Sequence, residues 1–78
     1  MRINIIKQEV DGDYLCSTAG EFAIREAVHP YLIMSSHTLA ALRKTNDERM
    51  FERDGECLFG DFKVLINNDL SFGNVDIR

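Results

Sequence analysis

Two cysteines, two histidines and a scatter of carboxylates are the side chains in this sequence that could do chemistry. Cys16 would be a nucleophile if a cation or a helix N-terminus held it as thiolate. It stands two residues before Thr18, whose spacing to Glu21 predicts a helix start, so the thiol would come near that terminus. Its alternation with Tyr14 favours the other reading, a cysteine buried as a small hydrophobe in a strand-like run. Cys57 reads the same way. The two are far apart with no nearby pair, which predicts reduced thiols over a disulfide. His29 precedes Pro30 and His37 lies in the first turn of a predicted helix. Neither has a second histidine or a cysteine at ligand spacing, so they form no metal signature. Asp11, Asp13, Asp54, Glu56 and Asp61 lie at predicted turns, where aspartate is explained by bonding its own backbone. Asp11-Gly12-Asp13 lacks the later ligands and closing glutamate of a calcium loop. Glycine-rich phosphate loops and nucleophile elbows do not occur. No catalytic residue, metal or cofactor is therefore expected.

The elements that would position any site belong to one domain spanning residues 1–78. With 45% hydrophobic and 28% charged residues the balance is that of a globular domain. A chain this short buries only ~60–65% of its unfolded surface, so self-association or a partner would add stability. The net charge of −4 argues against a nucleic-acid partner, which calls for lysine and arginine on one face. Nine basic residues among thirteen acidic ones are also too many for a mimic of DNA. No signal peptide is expected, and no apolar run approaches the ~20 residues needed to span a bilayer. These features predict a cytoplasmic protein without a membrane partner.

Alternation in Arg2–Ile5 predicts a strand, and Asp11-Gly12 predicts a hairpin turn with Tyr14–Ser17 as the return strand. Thr18 and Glu21 fit a capping box opening a helix through Glu21–Val28, with Ala23 and Ala27, and Ile24 and Val28, each four apart on a core-facing stripe. Pro30 ends that helix. Tyr31–Met34 is a continuous apolar run, which suits a strand buried on both faces. Ser35 or Ser36 can cap a second helix carrying Leu39 and Leu42, with Arg43 and Lys44 in its last turn to complement the dipole. A second Asp-Gly hairpin turns at Asp54-Gly55. Phe62, Val64 and Ile66 alternate in the best strand, with Leu65 making its centre apolar on both sides. Asn67–Gly73 is a loop, and Val75 and Ile77 alternate against Asp76 in a last strand. The expected order is β-β-α-β-α-β-β-β-β, an α+β fold with two helices on a small sheet.

Large apolar side chains near turns are candidates for a contact surface. Met50 and Phe51 flank the second hairpin, and Leu70 and Phe72 lie in the loop after the long strand. The competing reading tucks them beneath their loops to finish a small core.

From Tyr31 onward, "YLIMSSHTLAALRKTNDERMF", then Leu58-Phe59-Gly60, Phe62–Ile66 and Asn67–Gly73, resembles the axial-domain segment of tailed-bacteriophage major capsid proteins. In that family a buried strand hands over at a small polar residue to a helix of this type. A glycine, a valine-rich strand and an exit loop follow. The resemblance covers residues 31–78. It implies a structural segment whose loops meet neighbouring subunits, and it carries over no catalytic residue. The family's long spine helix, extended arm and peripheral domain have no counterpart in these 78 residues, and "GDFKV" lacks the proline often found after the glycine. The expectation is a free-standing phage or prophage protein, cytoplasmic or virion-associated. It would act without catalysis, through protein contacts with itself as a homo-oligomer or with a host or phage protein. The alternatives are a phage-encoded inhibitor of a host defence system or enzyme and, third, a small thiol-dependent enzyme.

Overall fold

The computed structural model describes all 78 residues. Strand β1 (Arg2–Asn4) leads to helix α1 (Gly12–Glu26), strand β2 (Tyr31–Met34), helix α2 (Ser36–Lys44), then β3 (Met50–Arg53), β4 (Glu56–Phe59), β5 (Phe62–Ile66) and β6 (Asn74–Ile77). The strands form one mixed sheet in the order β1-β6-β2-β5-β4-β3, parallel only between β2 and β5. The α+β class with two helices on a sheet is as the sequence implies.

The first Asp-Gly pair is the main correction. Asp11 adopts an extended conformation and caps α1, its carboxylate accepting the Tyr14 N–H at 2.9 Å. Tyr14–Ser17 is therefore helix, not a return strand, and the sheet has six strands instead of seven. Gly12 is small for a packing reason: a Cβ there would lie 2.6 Å from Asp47 Oδ2. Thr18 and Glu21 fall mid-helix and open nothing. The core stripe of α1 is Leu15, Ala19, Phe22 and Ala23, spaced at four, three and one along one face. Ile24, expected inside, is 85% exposed, and Val28 also faces outward. The helix ends with Ala27 in the left-handed conformation.

The rest follows its local signals. Ser35 caps α2, accepting the Thr38 N–H at 3.2 Å. Asp54 and Gly55, both at positive φ, turn the β3–β4 hairpin. The core joins Leu15 and Ala19 of α1, Leu39 and Leu42 of α2, and the side chains that β2, β4, β5 and β6 turn toward them: Leu32, Met34, Phe59, Phe62, Val64, Val75 and Ile77. Both helices thus lie on the same side of the sheet.

Candidate functional site

Strand alternation assigns the other side of the sheet. Tyr31 and Ile33 of β2 alternate with buried Leu32 and Met34, and Lys63 and Leu65 of β5 alternate with Phe62 and Val64. Register then aligns the outward set into rows. Tyr31 pairs with Lys63, Lys63 with Leu58, and Leu58 with Phe51, a row across four strands. Ile33 pairs with Leu65 on one side and with Asp76 on the other, and Asp76 with Arg2. No helix covers these rows: Tyr31 and Leu65 are each 44% exposed, and Phe51 is 37% exposed. The expectation that β2 is buried on both faces is corrected here. It lies inside the sheet but is covered on one side only.

Charges bracket this apolar strip. Toward β1 and β6, Asp76 sits beneath two guanidiniums, 2.9 Å from Arg78 and 3.5 Å from Arg2. The Arg78 hydrogen bond, with help from Arg2, holds the Asp76 carboxyl below its ordinary range against the opposing effect of burial. Within the strip, Lys63 of β5 reaches toward β4, its Nζ 2.9 Å from Glu56, which raises the lysine pKa. Arg53 stacks over the Phe51 ring at 5.7 Å.

The four contact candidates do not form one patch. Phe51 belongs to the bare face. Met50, its neighbour, points to the opposite side and packs against the core. Leu70 is buried under its own loop, whereas Phe72 is 55% exposed and stands beside Ala41 and Lys44 of α2. Sequence reasoning missed Tyr31, Ile33, Leu58 and Leu65 as surface groups. Their signal was present as strands apolar on both sides.

The groups considered for chemistry are dispersed. Cys57 Sγ contacts Met50 Sδ at 3.5 Å and Arg43 Nη2 at 3.7 Å, and Cys16 lies in α1 against the core. Both thiols are free. His29 Nε2 bonds the Asp61 carbonyl at 2.8 Å with its ring against Phe62, and His37 is exposed in α2. No three histidine, cysteine or carboxylate groups converge as metal ligands. A polar depression beside the α1 N-terminus contains Arg49, whose guanidinium is already taken by Asp47 and Asp13. No helix is long and apolar enough to cross a membrane.

Comparison with protein-family models, curated proteins and solved structures gives no match for this chain.

Proposed function

We propose that this chain is a non-enzymatic protein-interaction module that works through the bare side of its sheet. The observation that carries this reading is the parallel β2–β5 pair, whose strands are apolar on both sides while helices cover one. Parallel strands of this composition ordinarily have both faces covered. A protein surface is the natural second cover for Tyr31, Ile33, Leu58, Leu65 and Phe51, because burying a half-exposed side chain of this size contributes about 1 kcal/mol. The likeness of residues 31–78 to a capsid axial-domain segment supplies the setting, a phage or prophage assembly in which such contacts are the working part. A structural role and inhibition of a host protein would use the same face and differ in what sits on it.

Site-specific photo-crosslinking in cells making the protein tests the reading. A photoreactive side chain in place of Tyr31 or Leu65 should give a discrete protein adduct. The same group in place of Ile24, on the outer side of α1, should not. An adduct with a second copy supports a structural module, and one with a different protein supports an inhibitor or adaptor. Equal labelling from Ile24, or no adduct from the sheet positions, removes the proposal.

A further inference from the structure

The charge on the bare face is opposite in sign to that of the molecule. Arg2, Arg53, Lys63 and Arg78 stand there with only Glu56 and Asp76, a net of +2 in a chain of −4, which leaves −6 for the remaining surface. Arg2 and Arg78 lie at the β1–β6 end of the apolar strip and Arg53 at the β3 end, while Lys63 stands within it between Tyr31 and Leu58. Ile33, Leu58 and Leu65 occupy its middle, and the row from Tyr31 to Phe51 crosses four strands, about 14 Å at ordinary strand spacing.

Resting on the protein-contact reading above, we infer that the partner is an acidic protein segment: aliphatic or aromatic anchors flanked on both sides by Asp or Glu. The anchors cover Ile33, Leu58 and Leu65. The flanking carboxylates meet Arg2 and Arg78 at one end and Arg53 at the other, with Lys63 between them. Opposite charge at the rim raises the encounter rate and rejects basic competitors. A second copy docked by the same face is disfavoured, since it sets two net-positive surfaces against each other. Single-stranded nucleic acid is disfavoured for a different reason. The two exposed rings of this face, Tyr31 and Phe51, stand about 14 Å apart with Lys63 and Leu58 between them, so they form no continuous platform on which successive bases stack.

Ribosome display of random 16-residue peptides against the immobilised protein tests this, with Leu65→Glu and Tyr31→Ala as counter-baits. Both variants alter exposed side chains, and circular dichroism melts confirm that each is folded. The expected outcome is enrichment of sequences with apolar anchors between Asp or Glu. Their affinity should fall about tenfold or more for Leu65→Glu and weaken as salt rises. Enrichment of basic or uncharged sequences that still need Leu65 overturns the acidic partner while leaving a protein-contact face intact. No enrichment over Leu65→Glu overturns both. Sedimentation velocity and binding of a fluorescent oligouridylate complete the test. A dimer, or an oligonucleotide complex, that is lost in Leu65→Glu overturns the inference in favour of that occupant.

Discussion

Ile33 on β2 and Leu65 on β5 are direct register partners on the side of the sheet that carries no helix, while the preceding pair, Leu32 and Val64, lies in the core. Adjacent residues of one strand therefore answer to different demands. Leu32→Ala opens a cavity in a fully buried site and should cost about 2–5 kcal/mol. Leu65→Ser removes a half-exposed side chain and should stay within about 1 kcal/mol of wild type. Urea unfolding of the two variants measures the contrast. Equal losses would mean that the second side of the sheet is covered after all.

Acid sensitivity should centre on Asp47. The Arg49 guanidinium donates to it through Nε at 2.8 Å and through Nη2, and this holds the carboxyl below its ordinary value of 3.8 although burial pushes the other way. A folded-state pKa below the unfolded one contributes stability that is complete above the unfolded value. That stability is lost as pH falls through the folded value. Asp76 has the same sign, with Arg78 as its main cause. Stability should be level above about pH 5 and decline below about pH 4. Asp47→Asn should lose about 1 kcal/mol at neutral pH and flatten the acid limb. A variant whose acid limb matches that of wild type would show that the pair contributes nothing.

Three backbone positions predict opposite signs for small changes. Gly20 is inside α1 with nothing within 4 Å of the place a methyl group would take, so Gly20→Ala should stabilise by about 0.5–1 kcal/mol. Ala27 holds the left-handed cap at φ 53°, so Ala27→Gly should also stabilise, by up to about 1 kcal/mol. Gly73 combines φ +87° with a Cβ position 2.5 Å from Ile6 Cγ1, and Gly73→Ala should destabilise by more than about 1 kcal/mol. Thermal melts rank the three. Gly73→Ala melting at or above wild type would contradict the close approach of the 67–73 loop to Ile6.

The parts legible in the sequence are those decided within a few residues. Ser35 caps its helix, Asp54-Gly55 turns its hairpin, and Val75 and Ile77 alternate inward. The same dipeptide at Asp11-Gly12 misleads, because an Asp before a helix and an Asp in a hairpin look alike until the following spacing is weighed. Leu15, Ala19 and Phe22 carry the helical period there, and it outweighs the short Tyr14–Ser17 run. The bare side of the sheet was beyond local reading for another reason. Tyr31–Met34 is written as a strand apolar on both sides, and whether a second layer exists depends on how many helices the whole chain supplies. Both helices were needed on one side, around Leu39, Leu42, Leu15 and Ala19, and none was left for the other. Phe51 was found as a surface group because it flanks a turn, whereas Leu65 was hidden in the middle of a strong strand.

A buried hydroxyl ties the β5–β6 loop to α2, beside the exposed bonds between Asn68 and Ser36. Thr38 is fully buried. Its Oγ1 accepts the Gly73 N–H at 3.0 Å and lies 2.9 Å from the Ser35 hydroxyl. Thr38→Val keeps the shape and removes both hydrogen bonds, stranding the Gly73 N–H in a buried site, at a cost of about 1–3 kcal/mol. Thr38→Ser keeps the hydroxyl and loses one methyl, so it should cost about 1 kcal/mol and retain the loop. Hydrogen exchange distinguishes the two. The Gly73 amide should exchange much faster in Thr38→Val but near the wild-type rate in Thr38→Ser. A protected Gly73 amide in Thr38→Val would mean that the loop is held by Leu70 and by Asn68, whose Oδ1 accepts the Ser36 N–H, rather than by this hydroxyl.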